Sequence, residues 1–253
     1  MTTALITGAS SGLGAEYARQ LAARGYDLVL VARDGSALRG LADQLAAEHG
    51  ISAEVLVADL LNDGAVAAVV ARLSDADHPV DLLVNNAGFG LPLAFERNGI
   101  EAEVRHLRLH DEVPMRLMHA ALQGMLAGGD GRILNVASVA AFIPRSTYSA
   151  VKRWLVVFSR WANGRYRPRG VTVTAVCPGY THTGFHERLG LPPGEEGVPA
   201  WMWLDAAQVV SASLKDLHRG KAVSIPSMRY KLLVWLARAA PPGVAARMGE
   251  RGR

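Results

Sequence analysis

Short, fully apolar runs alternate with stretches of helical spacing along this chain, and that alternation leaves few folds open. Residues 4–6 form a first run that ends at Thr7-Gly8, and residues 14–23 follow with helical spacing closed by Gly25. A second run spans 28–31, and Leu38, Leu41 and Leu45 mark a helix over 38–48 that stops at Gly50. Runs at 54–57 and 82–84 flank a helix over 65–73. Runs at 133–136 and 171–176 flank another over 148–166, and a helix is expected over 102–126. Strands this short and apolar are buried on both faces, which requires a parallel sheet covered by helices on each side. Right-handed crossovers then make the sheet doubly wound, with about seven strands expected for this α/β pattern. The 253 residues show no linker, internal repeat or low-complexity segment, so 1–253 reads as one domain.

Composition narrows the function. Half of the residues are hydrophobic and 20% are charged, a globular balance. Cys177 is the one cysteine, which excludes an internal disulfide and leaves no case for a cysteine-ligated zinc or any other metal. The N-terminal ten residues run into a strand without a basic region or a long apolar one. No window approaches ~18 apolar residues, so neither a signal peptide nor a membrane span is expected, and a cytoplasmic location follows as the expectation.

The net charge of +4 is unevenly spread. From Arg219 to Arg253 there are eight Lys/Arg against Glu250 alone, while the rest of the chain is slightly acidic. A nucleic-acid binder more often spreads its bases over a working face, so no nucleic-acid partner is expected. The 219–253 segment mixes its bases with apolar residues, as in Leu232, Leu233, Trp235 and Leu236 between Lys231 and Arg238. That pattern suits a helix packed on the body or on a partner chain, with a membrane-surface helix as the lesser alternative.

The first strand-to-helix junction is Thr7-Gly8-Ala9-Ser10-Ser11-Gly12-Leu13-Gly14. Gly8 permits a tight turn, Gly12 lets backbone approach a pyrophosphate, and Gly14 lets helix pack closely on strand. The helix N-terminus that follows offers N–H groups and partial positive charge to phosphate. A glycine turn alone is weak evidence, but its place after the first strand points to nucleotide binding.

The glycine spacing is G-x-x-x-G-x-G. Together with Asn85-Asn86-Ala87-Gly88, Ser138, Tyr148-x-x-x-Lys152 and Pro178-Gly179, in that order, it resembles the short-chain dehydrogenases/reductases over nearly the whole chain. The resemblance implies a Rossmann-like NAD(P)-binding domain. It implies cofactor contacts from Gly8, Ser10, Ser11, Gly12, Leu13 and Gly14, and from Asp59 and Leu60 beside the adenine. It extends them to Asn85, Ala87 and Gly88 in the central region, to Tyr148 and Lys152, and to Pro178, Gly179, Thr181 and Thr183 near the nicotinamide.

Cofactor choice is legible at the second strand's end. An NAD-selective fold places a carboxylate there to grip the ribose 2′-OH. Here Ala32 occupies that position and Arg33 follows, a guanidinium suited to a 2′-phosphate. Asp34, one residue further, is the competing feature and is expected to point away. NADP(H) is therefore favoured over NAD(H).

Tyr148 and Lys152, four apart, share a helix face. A nearby ammonium favours phenolate, which makes Tyr148 a proton donor in carbonyl reduction and an acceptor in alcohol oxidation. Ser138, at a strand end, supplies a hydroxyl to hold the substrate oxygen. Three departures from the family stand out. His110 occupies the position of the usual Asn, whose water links Lys to solvent, and an imidazole there changes charge near neutral pH. The Ser138–Tyr148 interval is short, and bulky Arg153 and Trp154 follow Lys152.

Residues 184–204, rich in Gly and Pro and ending in Trp201-Met202-Trp203, read as a substrate lid with an apolar wall. The helices 102–126 and 148–166 carry Leu107, Leu117 and Leu122, then Trp154, Phe158 and Trp161. That is more apolar bulk than one inward face of each needs, which points to a homodimer or homotetramer. The expected function is NADP(H)-dependent oxidoreduction of a small-molecule carbonyl or secondary alcohol. The alternative is a cofactor-binding sensor or scaffold with little turnover, which the His110 departure favours.

Overall fold

Every strand pairing in the computed structural model, which describes residues 2–183 and 198–239, is parallel. The strands are β1 (Thr3–Thr7), β2 (Asp27–Ala32), β3 (Ala53–Val57), β4 (Leu82–Asn85), β5 (Gly131–Val136), β6 (Val171–Val176) and β7 (Val223–Ser224). Their order across the sheet is β3-β2-β1-β4-β5-β6-β7.

The period of two along each strand feeds two separate cores. Ala4 and Ile6 of β1, Leu28 and Leu30 of β2, and Leu82 and Val84 of β4 point to one face. There they meet α1 (Gly12–Ala22), α2 (Gly35–His49) and α7 (Ala206–His218). Leu5, Val29, Val31, Leu83, Ile133 and Val173 point to the other face. They meet α3 (Asp63–Leu73), α5 (Val113–Gly128) and α6 (Thr147–Tyr166). Burying each such side chain contributes roughly 1.5–3 kcal/mol, which is why both faces had to read as apolar. Side chains start three of these helices: Asp34, Asn62 and Asp205 accept from the N–H of Ala37, Ala65 and Gln208 at 3.0, 3.1 and 3.0 Å.

The helix expected over 102–126 is broken. It divides into α4 (Ile100–Leu107), a π-helical turn at Arg108–Glu112, and α5. Pro114 stands at the start of α5 and has no N–H to continue the ladder, so the winding changes just before it. The last described element is α8 (Met228–Ala239). Among the described residues no helix is long and apolar enough to cross a membrane. The expected lid lies outside the described residues from 184 to 197, as does the C-terminal segment from 240 onward.

Candidate active site

The chain leaves β1 and β4, neighbours in the sheet, toward opposite faces, so a crevice opens at their carboxyl ends. A cavity of about 990 Å³ occupies it, running from the ends of β2 and β3 past the glycine turn to α6 and α8.

The turn after β1 is held from across the switch point. The side-chain amide of Asn86 donates to the carbonyls of Thr7 and Gly8 at 2.9 and 3.2 Å. Thr7 Oγ1 accepts from the N–H groups of Asn86 and Ala87, each at 3.0 Å. Gly14 allows the close approach: a Cβ there would lie 2.1 Å from the Gly8 carbonyl oxygen. Gly12 turns through a left-handed φ of 56°, and the Ser11 side chain makes no capping hydrogen bond to the α1 N-terminus. Gly8, Ser10, Ser11, Gly12 and Leu13 line the cavity. A glycine cradle leading into an uncapped helix N-terminus fits the pyrophosphate of a dinucleotide.

At the far end of β2, Ala32, Arg33 and Asp34 line the cavity, with Asp59 and Leu60 beside them. Asp34 is committed to capping α2. Asp59 accepts from the N–H of Leu61 at 3.1 Å. Ala87, Gly88, Pro178, Gly179, Thr181 and Thr183 also line the cavity. Asn85 does not. Its side chain is buried and donates to Asn135 Oδ1 at 2.9 Å between β4 and β5, and Asn86 is the asparagine on the cavity. Consecutive residues at a strand end point to opposite sides, so the inference from motif to Asn85 was one residue off. Gly14 likewise serves by packing rather than by lining the cavity.

Ser138, Tyr148 and Lys152 meet at the other end of the cavity. Ser138 follows β5; its Oγ accepts from the Ala140 N–H at 3.2 Å and hydrogen-bonds the Tyr148 side chain. Lys152 Nζ donates to the Val136 carbonyl at 2.7 Å and lies 5.6 Å from the Tyr148 ring centroid. Burial pushes the Tyr148 phenol up to about 12, with the Ser138 hydrogen bond opposing that rise. Burial pushes the Lys152 amine down to about 8, opposed chiefly by the Asp111 carboxylate. Tyr148 therefore holds its proton across neutral pH, ready to donate it.

His110 sits on the π-helical turn, fully buried, with Nε2 2.8 Å from the Phe89 carbonyl oxygen. The Phe89 N–H also lies 3.3 Å from Nε2, and among the described residues the buried Nδ1 has no hydrogen-bond partner. Its ring centroid is 4.4 Å from that of His106 and 6.0 Å from that of Tyr148. Burial, then Lys152 and His106, push its pKa well below the usual 6.5. The expected titration near neutral pH is therefore displaced downward, chiefly because burial disfavours the imidazolium, with the Lys152 ammonium adding to it.

Two neighbours were not foreseen. His106 is buried one turn from His110, and burial and Lys152 push it down to about 4. The His-x-x-x-His spacing was the available sign of a shared face. Among the described residues the buried Oδ1 of Asp111 has no hydrogen-bond partner, and burial raises its carboxyl to about 7. The expected Trp wall is also corrected. Trp201 is 56% exposed, Trp203 stacks on His182 at 4.8 Å, and Met202 is the residue of the three on the cavity. The apolar lining comes instead from Leu91, Leu93, Ile143, Leu233 and Val234. Cys177 is buried and its thiol is pushed up to about 12, so it packs rather than reacts.

The family model described as short chain dehydrogenase matches residues 2–192. A short-chain dehydrogenase from Sphingobium yanoikuyae, solved in complex with NADPH, is 35% identical, with a TM-score of 0.85 and coverage of 94% of each chain. A bulky-bulky ketone specific alcohol dehydrogenase from Comamonas testosteroni is 33% identical. Its TM-score is 0.81, covering 94% of this chain and 93% of that one. A ketoacyl reductase of Nostoc sp. is 34% identical over 184 residues, 70% of this chain and 63% of its own length.

Proposed function

The chain belongs to the short-chain dehydrogenase family of oxidoreductases acting on CH–OH groups, and from that premise we propose that it interconverts a carbonyl and a secondary alcohol on an apolar substrate, with NADP(H) as its preferred cofactor. One observation carries the reading: Ser138, Tyr148 and Lys152 converge at one end of a cavity that runs past the glycine cradle to Arg33.

A nicotinamide cofactor held along the cavity would supply or accept the hydride. Ser138 and Tyr148 hold the substrate oxygen through their hydroxyls, and in reduction Tyr148 transfers its phenolic proton to that oxygen. Lys152, fixed against the Val136 carbonyl, stabilises the phenolate left behind. His110, neutral and anchored to Phe89, fixes the loop after β4 against the start of α6. The preference for NADP(H) rests on Arg33, the cation at the adenosine end, with Asp34 engaged in capping α2. The Sphingobium relative's NADPH complex supports the same reading.

The test is NADPH oxidation by the purified chain against ketone, aldehyde, steroid and acyl-thioester panels, with NADH in parallel. Turnover of an apolar carbonyl, faster with NADPH, is expected. Tight NADPH binding with no turnover across the panels would instead favour a sensor or scaffold.

A further inference from the structure

Helix α8 has two apolar faces. Tyr230, Leu233, Val234 and Ala237, spaced i, i+3, i+4 and i+7, line the cavity. About half a turn away around the helix, Met228, Leu232, Trp235 and Leu236 form a second stripe that is exposed, Trp235 by 64%. Exposed Trp201 adjoins it, its carbonyl accepting from the guanidinium of Arg229. A helix packed on a body needs one apolar stripe; a second one calls for something to cover it.

Charge decides what that is. The chain from Arg219 onward holds eight Lys/Arg against Glu250 alone. α8 itself carries Arg229, Lys231 and Arg238 and no acid, so two copies meeting through it would oppose like charges, whereas an anionic lipid surface attracts them. Trp235 is also a residue type that settles at the headgroup boundary. We propose that α8 lies along an anionic membrane surface, with Leu232, Trp235 and Leu236 seated at the acyl boundary and Lys231 among the headgroups. No described helix is long and apolar enough to cross a membrane, and the contact proposed is that of a helix lying on the surface. The same helix walls the cavity, which puts the pocket one helix thickness from the lipid.

Flotation of the full chain with vesicles tests this independently of turnover. Vesicles containing phosphatidylglycerol should recover at least ~tenfold more protein than phosphatidylcholine alone, with recovery falling as salt rises. The double variant Leu232→Asp/Trp235→Asp should lose flotation while keeping its circular dichroism and melting temperature. The proposal is overturned if wild type stays unbound with anionic vesicles, or if it floats equally with neutral ones. It is also overturned if the variant floats like wild type, or if its mass by light scattering drops by a subunit, since the face would then be covered by a second copy.

Discussion

The imidazole of His110 fills the space that a side chain at Gly88 would need: a Cβ there would lie 2.4 Å from His110 Cε1. The loop after β4 and the π-helical turn before α5 are thus fitted to each other through one glycine and one ring. Gly88→Ala should push the ring off its Phe89 hydrogen bond and lower stability by ~1–3 kcal/mol, as overpacking does. Combining it with His110→Asn should recover part of the loss, because the smaller amide leaves room. A double-mutant cycle by urea unfolding measures this, and strict additivity would argue against the contact.

Arg33→Ala should weaken NADPH binding far more than NADH binding. Losing a charge-assisted pair costs about 1.5–3 kcal/mol. Calorimetry with both cofactors reads the ratio, and an unchanged ratio would remove Arg33 from cofactor choice.

Tyr148→Phe should keep the fold and the cofactor affinity and abolish turnover, since only the proton path is lost. A variant that reduces an identified substrate at near wild-type rate contradicts the proton role.

The pH dependence should come from Lys152 and Asp111, not from His110. Burial and Lys152 hold His110 well below its usual value. His110→Asn should therefore leave the shape of the kcat/KM profile unchanged around neutral pH. Lys152 loses its charge as pH rises through about 8, weakening its support of the phenolate. The Asp111 carboxylate favours that charge, so Asp111→Asn should move the alkaline limb toward lower pH. An unmoved limb would uncouple Asp111 from the site. In stability the sign runs the other way. The unfolded chain keeps the lysine proton up to about 10.5 while the folded chain releases it at about 8, so this group's contribution rises with pH across that window.

The chain should be at least a dimer in solution through the face of α4 and α6. Val104 and Leu107 of α4 and Val157 and Trp161 of α6 are exposed there, whereas Leu117 and Leu122 belong to the core. Leu107→Glu/Trp161→Glu should release monomers, read as mass by light scattering at micromolar concentration. A monomeric wild type would count against this face as an interface.

Six of the seven strands, the glycine turn and the Tyr148-Lys152 pair were legible in the chain because each depends on local spacing, whereas the two-residue β7 is too short to show a pattern. Buried strands had to be apolar on both faces, and that requirement alone implied the parallel sheet. Tertiary structure decided what depends on phase and on distant neighbours. Asn86 rather than Asn85 meets the cavity because adjacent strand-end residues face opposite ways. The π-helical turn interrupts the expected helix, and the Phe89 that His110 meets comes from the loop after β4, a neighbour that helical spacing does not name. The charge states of His110, Lys152 and Asp111 depend on burial and on one another across two elements. The two faces of α8 parted for the same reason: its apolar residues look alike in sequence, and only the cavity behind the helix separates those it buries from those it exposes.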